Sequence, residues 1–432
     1  MLAIRGLLLA GCSLASILLS GGTALAHDQP RATQHVRAFS ATGLRKVDER
    51  MRQAIEDGDA AGMVTLLGRV GEQIQLRSYG VQSGLSPMTP RSLFRIYSMT
   101  KPITGVAMMQ LYEQGKWRLD DPVSLHAPEL SHLKLLDGFD ADGKPIIGTP
   151  SRSPTMRELM THTAGFAYGL AGDDPINEAF RVQQVLRSSS LDEMMGKIAA
   201  IPLLHEPGRV WYYSVAVDIQ GYLVQKLSGQ PFGQYLRAQV FEPLGMRDTS
   251  FVVQQSDLSR LTDVYAWDES QQRLMPRRPA AGEVSVTDDR RLESGGGGLI
   301  STVLDYSRLC QMLLNGGELD GKRILASDTI RLMVSNQVGG LPVLGDGSAA
   351  RPGVPGIGFG FDVAVYTDPS KTQAPYAEGT YFWAGMAGTW FWVDPVNKLY
   401  FIGMIQRLGP ARPGGVDLQA ESARLVYAAL SL

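Results

Sequence analysis

The sequence contains little cysteine and almost no excess of charge of either sign. Two cysteines in 432 residues are too few for a disulfide scaffold or for a zinc module built on cysteine ligands. The 41 Lys and Arg residues nearly balance the 43 Asp and Glu residues, which argues against a nucleic-acid-binding protein and against a polybasic membrane-surface protein. Hydrophobic residues make up 44% of the chain, so intrinsic disorder is excluded as well. We therefore expect a folded, glycine-rich enzyme.

Motifs of several common enzyme classes are also missing. The six histidines form neither an H-x-x-x-H pair nor an HExxH motif, so we expect no metal site. No G-x-S-x-G turn occurs, which removes the nucleophile turn of the α/β-hydrolases. The glycine run Gly295–Gly298 is not followed by Lys-Ser/Thr and therefore lacks the features of a phosphate-binding loop. These absences favour an enzyme that works without a cofactor.

The start of the chain has the pattern of an export signal. Arg5 is the only charge before residue 27, residues 7–19 are mostly apolar, and an A-x-A arrangement ends at Ala26. This pattern predicts a signal peptide over 1–26 and a protein that is exported, either periplasmic or secreted. The segment Leu9-Ala10-Gly11-Cys12 leaves an alternative open, in which a lipid on Cys12 anchors the protein to a membrane.

The rest of the chain is predicted to form an α+β fold. The predicted elements are a helix at 41–60, strands at 63–67 and 74–79, a mostly helical region from about 98 to 330 with long loops at 135–155, 167–178 and 265–298, strands at 358–366, 389–393 and 399–405, and a helix at 416–430. Because strands occur at both ends and helices in the middle, we expect both chain ends to build one antiparallel sheet and the middle to form a helical lobe. A flexible arm at 27–40 would precede a single domain over 41–432.

A Ser-x-x-Lys pattern marks the candidate catalytic residues. Ser98 and Lys101 precede an apolar helix that begins near Pro102, so both side chains are predicted to lie on one face of its first turn. A lysine that is buried or close to another cation can take the proton of a serine hydroxyl, which activates the serine as a nucleophile. The pattern alone is weak, since an N-cap serine and a solvated lysine would look the same. A second copy at Ser131–Lys134 is interpreted as chance, because no clear apolar helix follows it.

Further segments make the chain resemble a known family. In chain order they are Ser98–Pro102, Met160–Gly165, Glu206–Gly208 followed by Tyr213-Ser214, Phe241–Met246, Gly295–Gly298, and Trp383-Ala384-Gly385 before Gly388-Thr389. With them the sequence resembles the serine β-lactamase and penicillin-recognising superfamily, and within it the family VIII carboxylesterases related to class C β-lactamases. The resemblance runs from about residue 42 to the end. It implies a β-lactamase/transpeptidase-like fold, with an antiparallel sheet flanked by helices and a helical lobe.

The resemblance also implies roles for individual residues. Ser98 would be the acylated nucleophile, and Lys101 and Tyr213 would handle its proton jointly, with the base assigned to neither alone. The backbone N–H groups of Ser98 and Met386 would form the oxyanion hole. The segment Trp383-Ala384-Gly385 would contact the substrate.

Two departures from the family pattern bear on the substrate. Tyr213-Ser214-Val215 stands where the lactamase and peptidase branches have Tyr-x-Asn, and Trp383 stands where they have a lysine or a histidine beside Thr-Gly. Both changes remove polar groups that would hold a β-lactam or a peptide, and they favour uncharged esters with short or apolar acyl groups. We therefore expect a serine esterase whose partner is a small-molecule ester. A β-lactamase or D-amino-acid peptidase, an acyltransferase with the same site, and a non-catalytic binding protein remain alternatives.

Four further residues carry expectations of their own. His162 is expected to make a structural hydrogen bond rather than to join a catalytic triad. Asp218, which follows Tyr213 by five residues, has two interpretations, a residue that supports the site from behind and a solvated position of a helix, and we expect the second. Trp390 and Trp392 alternate with Phe391 on one predicted strand, so part of the aromatic cluster around Trp383 is expected in the core.

Overall fold

Both ends of the described chain contribute strands to one sheet in the computed structural model. The described residues are 37–278, 284–345 and 351–431; the predicted signal peptide, Cys12 and most of the predicted arm lie outside them. The helices are α1 Ala41–Glu56, α2 Lys101–Glu113, α3 Val123–His126, α4 Met156–Met160, α5 Pro175–Val182, α6 Leu191–Ala199, α7 Ala216–Ser228, α8 Phe232–Leu236, α9 Glu242–Leu244, α10 Val303–Leu314, α11 Ser327–Met333 and α12 Leu418–Ala429.

The strands are short apart from the first two. They are β1 Gly62–Arg69, β2 Glu72–Ser83, β3 Ser86–Pro87, β4 Phe94–Arg95, β5 Leu135–Phe139, β6 Pro145–Gly148, β7 Tyr265–Asp268, β8 Arg273–Pro276, β9 Ile300–Ser301, β10 Glu318–Leu319, β11 Lys322–Arg323, β12 Ile357–Phe359, β13 Ala364–Tyr366, β14 Tyr381–Ala384, β15 Trp390–Asp394, β16 Leu399–Met404 and β17 Arg407–Leu408. None of the helices in these three ranges is long and apolar enough to cross a membrane.

The main sheet is antiparallel and joins the two chain ends. Its eight strands have the order β12-β13-β14-β15-β16-β1-β2-β3. Strands β1 and β16 pair in the register Val64↔Met404 to Gly68↔Tyr400, so the last strands continue the sheet that the first hairpin begins. This pairing is the closure that the strand patterns at both chain ends predict.

Helices cover both faces of the sheet. Along β15, Phe391 contacts Tyr306 of α10, whereas the neighbouring Trp392 contacts Tyr427 of α12. Because successive strand residues point to opposite faces, α10 and α12 lie on opposite sides of the sheet. Trp392 also stacks on Phe401 of β16, with ring centroids 5.8 Å apart. Trp390 stacks on the same phenylalanine, and both tryptophans are buried, so part of the aromatic cluster is in the core, as predicted.

Two predicted element boundaries are wrong. The helix predicted over 41–60 ends at Glu56, because Gly58 adopts a φ of 80° and turns the chain away from the helix. The strand predicted over 358–366 is two strands, β12 and β13, because the chain reverses at Asp362, which has a φ of 62°.

Some short elements give no signal in the sequence. The predicted loops at 135–155 and 265–298 contain the hairpins β5–β6 and β7–β8, and the loop predicted over 167–178 gives way to α5 at Pro175. Strand β14 was not predicted either. Its first three residues are all buried, and a strand without alternating polar residues lacks the period of two by which strands are found.

Helix α2 connects the helical lobe to the sheet. Its residues from Lys101 to Leu111 are all buried, and it contacts α7, α8 and α11. The segment in front of it is held by β4, which pairs with β9. Ser98 and Lys101 therefore lie in the centre of the molecule, where the lobe meets the sheet.

Candidate active site

Ser98 lies in a tight turn directly in front of helix α2. A 3₁₀ turn spans Tyr97–Thr100, and Lys101 is the first residue of α2. The sequence predicted both side chains on the first turn of one α-helix; the structure instead divides them between two consecutive turns. Tyr97 has a φ of 43°, a left-handed conformation that costs free energy in a residue with a Cβ and that often occurs at functional sites. The strained residue immediately precedes the candidate nucleophile.

The structure brings the three predicted catalytic side chains together. Tyr213 Oη lies 2.7 Å from Ser98 Oγ, and Lys101 Nζ lies 3.3 Å from the same oxygen. Lys101 Nζ also lies 4.6 Å from the centre of the Tyr213 ring. Ser98 therefore has two neighbours that could accept its proton, and these two neighbours also contact each other.

Lys101 is fully buried, and oxygen atoms of the protein surround its amine. Nζ donates to Gly296 O at 2.6 Å and to Tyr168 Oη at 3.2 Å. Sequence reasoning did not identify Tyr168, because a single tyrosine in a loop has no spacing that relates it to Ser98. Its hydroxyl supplies a polar contact to the lysine in a chain that lacks the asparagine of the Tyr-x-Asn pattern.

Asp218 was expected at a solvated position, and this expectation is wrong. The side chain is 0% exposed, because helix α7 is buried on all sides from Ala216 to Val224. Its Oδ1 accepts hydrogen bonds from Ser294 Oγ and, at 3.1 Å, from Gly296 N–H. Burial raises the pKa of the Asp218 carboxyl, while the charge of Lys101 acts in the opposite direction.

The glycine run allows these groups to approach one another. A Cβ at Gly296 would lie 2.4 Å from Asp218 Oδ2 and 2.6 Å from Tyr168 Oη. A Cβ at Gly295 would lie 2.4 Å from Val217 O. Because real Cβ atoms do not approach other atoms so closely, only glycine fits at these two positions in the present arrangement.

The pKa of Tyr168 is raised well above its usual value, mainly by burial and to a smaller extent by the nearby charge of Asp218. This phenol therefore stays protonated.

The turn after β14 lies against the backbone in front of Ser98. Gly385 N–H donates to Thr389 O at 2.7 Å, and Thr389 Oγ1 donates to Ile96 O at 3.3 Å. A Cβ at Gly385 would lie 2.4 Å from Ile96 O, so the close approach depends on glycine. Met386, whose backbone N–H is predicted to complete the oxyanion hole, follows directly and lines the same cavity as Ser98.

Aromatic rings form one wall of the cavity. Trp383 contacts Tyr213 with ring centroids 5.6 Å apart and contacts Phe359 at 5.5 Å. His162 also packs against Tyr213, with ring centroids 4.9 Å apart, and its Nδ1 lies 2.9 Å from Ser214 Oγ. Burial, together with the charge of Lys101, lowers the pKa of His162 well below its usual value. This neutral imidazole supports the loop that carries Tyr213, which agrees with the structural role expected for it.

The cavity that contains Ser98 has a volume of about 770 Å³. Trp383, Ala384 and Gly385 line it together with the three predicted residues Ser98, Tyr213 and Met386. Much of the remaining surface is aliphatic, and four arginines also take part: Arg95, Arg187, Arg277 and Arg291. Among the described residues, no three His, Cys, Asp or Glu side chains are grouped so that they could hold a metal ion.

Comparison with known proteins gives consistent results. The Beta-lactamase family model matches residues 47–424. Protein Rv1367c of Mycobacterium tuberculosis is 36% identical over 368 residues, which cover 82% of this chain and 88% of that protein. Esterase EstB of Burkholderia gladioli is 30% identical over 376 residues, which cover 83% of this chain and 89% of EstB. Among solved structures, EstCE1, described as a hydrolase with promiscuous acyltransferase activity, has a TM-score of 0.73 at 26% identity and covers 89% of this chain and 98% of its own. The predicted α+β, β-lactamase-like fold is thereby confirmed.

Proposed function

The chain belongs to the Beta-lactamase family and is a serine hydrolase of that family, and on this premise we propose that it is an exported carboxylesterase with an acyl-Ser98 intermediate. The contacts of Ser98 Oγ, 2.7 Å from Tyr213 Oη and 3.3 Å from Lys101 Nζ, carry the proposal. A serine with two proton acceptors beside a large cavity has what a nucleophilic hydrolase requires. Export is inferred from the pattern of residues 1–26.

The reaction would proceed in two steps. Ser98 Oγ attacks the carbonyl carbon of the ester while its proton passes to the pair of Tyr213 and Lys101. The negative charge on the former carbonyl oxygen is stabilised by the backbone N–H groups of Ser98 and Met386. The C–O bond to the alcohol then breaks, and the alcohol leaves with the proton from the pair. Water attacks the acyl-serine in the same manner, which releases the carboxylic acid and returns the proton to Ser98.

The walls of the cavity favour short or apolar acyl groups. Trp383 is 7% exposed and presents an indole where the lactamase branches would have a lysine or a histidine. Val215 stands at the position of their asparagine and is fully buried. An indole carries no positive charge to pair with a carboxylate, and a valine has no hydrogen-bonding group for an amide. Near the reacting carbon, the site therefore suits an ester better than a β-lactam or a peptide.

Acyl transfer to an alcohol is a second candidate reaction. EstCE1, to which this chain is similar, is described as a hydrolase with promiscuous acyltransferase activity. The aliphatic and aromatic part of the cavity surface next to the acyl-serine favours an alcohol over water as the acceptor. Product analysis in the presence of an added alcohol separates the two reactions, because transfer yields a new ester whereas hydrolysis yields the free acid.

Labelling with a fluorophosphonate and intact-mass analysis test the proposal. The wild-type protein should gain the mass of one phosphonyl group and the Ser98→Ala variant none. The unlabelled mass of the exported protein should equal that of residues 27–432, and a lipid on Cys12 would appear as a larger mass. Hydrolysis of para-nitrophenyl butyrate should exceed that of a chromogenic cephalosporin. Ester turnover by Ser98→Ala at the wild-type rate would refute the proposal.

A further inference from the structure

We propose that the buried carboxylate of Asp218 is the counter-ion of Lys101 and a positioning residue for proton transfer from Ser98. The inference rests on the esterase function proposed above and adds to its site a residue to which the family resemblance assigns no role. Lys101 and Asp218 are both 0% exposed. A charge without water around it is stable only close to a charge of the opposite sign.

A protonated Lys101 has an acceptor for each of its three N–H groups. Nζ donates to Gly296 O at 2.6 Å, to Tyr168 Oη at 3.2 Å and to Ser98 Oγ at 3.3 Å. Three acceptors suit an ammonium, which has three donors and no lone pair. Because the acceptors are a carbonyl and two hydroxyls, they satisfy the hydrogen bonds of the ammonium without balancing its charge.

Asp218 adjoins two of these acceptors. Its Oδ1 accepts a hydrogen bond of 3.1 Å from Gly296 N–H, and the carbonyl of the same glycine accepts from Lys101 Nζ. Its Oδ2 and Tyr168 Oη both lie within 2.6 Å of the position that a Cβ of Gly296 would take, so these two oxygens are close neighbours. Gly296 and Tyr168 therefore each connect the carboxylate to the ammonium.

Three other titratable groups near Lys101 are uncharged. Burial raises the pKa of Tyr168 and that of Asp362 well above their usual values. Burial, together with the charge of Lys101, lowers the pKa of His162 well below its usual value. A neutral phenol, a neutral carboxylic acid and a neutral imidazole cannot balance the ammonium, which leaves this task to Asp218.

The hydrogen bonds of Asp218 favour its ionised form. Its Oδ1 accepts from the hydroxyl of Ser294 and from Gly296 N–H, and donors aimed at a carboxylate stabilise its negative charge. The charge of Lys101 acts in the same direction, against the effect of burial on the pKa of Asp218. Glu293, the next carboxyl along this loop, accepts from a backbone N–H of α8 instead.

The negative charge would assist the first step of the reaction. When Ser98 attacks the ester, its proton passes to the pair of Tyr213 and Lys101, and this pair gains one positive charge. A carboxylate held nearby in a dry environment stabilises that charge before any group has to move. Asp218 would therefore increase the capacity of the pair to take the proton, although it does not touch the substrate.

Asp218→Asn tests the proposal, because it removes the charge and retains the shape and the Oδ1 acceptor. The rate of labelling by a fluorophosphonate is measured against pH for the wild-type and variant proteins. Loss of a negative charge favours the deprotonated form of every group nearby, so the limbs of the profile should move to lower pH by about one unit. The maximal rate should fall about tenfold, the equivalent of one such unit. A merely structural role would lower the rate by the same factor at every pH.

Asp362→Asn is the matched control. Asp362 is also 0% exposed and near Lys101, but its carboxyl is already neutral, so the substitution removes no charge. Its φ of 62° is a conformation that asparagine adopts readily. We expect the pH profile of this variant to coincide with that of the wild type.

Urea unfolding supplies a measurement that does not depend on activity. Asp218→Asn and Lys101→Met each leave one buried charge without its partner, whereas the double variant leaves neither. The loss of stability in the double variant should therefore be smaller than the sum of the two single losses. If Asp218→Asn alone does not fold, the double variant should regain a cooperative unfolding transition.

The outcomes separate this inference from the proposed function. A folded Asp218→Asn protein with an unshifted profile, an equal shift in Asp362→Asn, additive losses of stability, or a double variant that stays unfolded would overturn the inference and leave the esterase intact. If the wild-type protein were not labelled at Ser98 and cleaved no ester, the proposed function itself would fail.

Discussion

Replacing Gly296 with alanine tests whether the glycine run holds Lys101 in place. The new Cβ would lie 2.4 Å from Asp218 Oδ2 and 2.6 Å from Tyr168 Oη. Cβ contacts shorter than 3.0 Å are essentially never observed, so Asp218 Oδ2 must move by about 0.6 Å and Tyr168 Oη by about 0.4 Å if the backbone of Gly296 stays in place. If the backbone of Gly296 moves instead, its carbonyl retreats from Lys101 Nζ, with which it now makes a hydrogen bond of 2.6 Å.

The expected cost is mainly catalytic. Displacements of this size at reacting groups lower rates by about tenfold to a hundredfold, and overpacking costs about 1–3 kcal/mol of stability. We therefore expect kcat/KM for para-nitrophenyl butyrate, and the rate of labelling by a fluorophosphonate, to fall within that range. The labelling rate reports on acylation alone, so a loss in both measurements places the defect in the first step.

The neighbouring glycine supplies the control. A Cβ at Gly297 would meet no atom closer than 3.8 Å, so Gly297→Ala should retain most of the acylation rate. Thermal unfolding of both variants shows whether they are folded. Equal acylation rates for Gly296→Ala and Gly297→Ala, with both proteins folded, would refute the idea that close packing at Gly296 positions Lys101.

Three other substitutions test separate parts of the molecule. Tyr168→Phe removes the hydroxyl 3.2 Å from Lys101 Nζ and retains the ring, so kcat should fall about tenfold with little change in melting temperature. An unchanged kcat would show that this hydroxyl does not contribute to catalysis. Burial raises the pKa of Asp305 to about 6 from 3.8, so the Asp305 carboxyl holds its proton more tightly in the folded protein than in the unfolded chain. The free energy of unfolding should therefore decrease by about 3 kcal/mol in total as the pH rises from about 4 to about 6. Urea unfolding at several pH values should show the difference in stability between the Asp305→Asn and wild-type proteins growing across that window and constant above it, and a pH-independent difference would contradict the assignment. Trp392→Leu removes a buried ring that stacks on Phe401 and should lower the free energy of unfolding by about 3 kcal/mol, with ester hydrolysis retained at temperatures where the variant is folded; a loss below 1 kcal/mol would be inconsistent with its packing.

Local spacing made Ser98 and Lys101 predictable, whereas Tyr213 and Met386 were predicted only through the family resemblance. Ser98 and Lys101 are three residues apart in front of an apolar helix, and this spacing predicts the contact that their side chains make. Closure of the sheet was predictable for a similar reason, since strand patterns occur at both chain ends and β1 pairs with β16. A short segment therefore determines the first arrangement, whereas the second follows from strand patterns in two distant segments that need a common sheet.

Tyr168 and Asp218 could not be predicted, because their roles depend on contacts between distant segments. Asp218 is on a helix that is buried on all sides, so the usual expectation that a charged helix residue faces water fails there. Its partner is the backbone of Gly296, 78 positions along the chain. A glycine run shows that some close approach occurs, but it does not show which side chain the backbone meets.

The change from Tyr-x-Asn to Tyr213-Ser214-Val215 separates two tasks that the resemblance assigns to one asparagine. The side-chain amide of that asparagine would hold the lysine, and it would also bind the amide group of the substrate. In this chain, Tyr168 Oη and Gly296 O hold Lys101, so proton transfer keeps its polar support, whereas Val215 lies buried in the core and offers nothing to a substrate amide. An ester has no N–H group to bind and loses nothing by this change, whereas a β-lactam or a peptide loses a hydrogen bond. Val215→Asn should therefore bury an unsatisfied amide and lower stability by about 1–3 kcal/mol, without raising cephalosporin turnover to the level of ester turnover. A variant that gained such turnover would show that Tyr168 and the asparagine can operate together, and that the substrate preference depends on this one position.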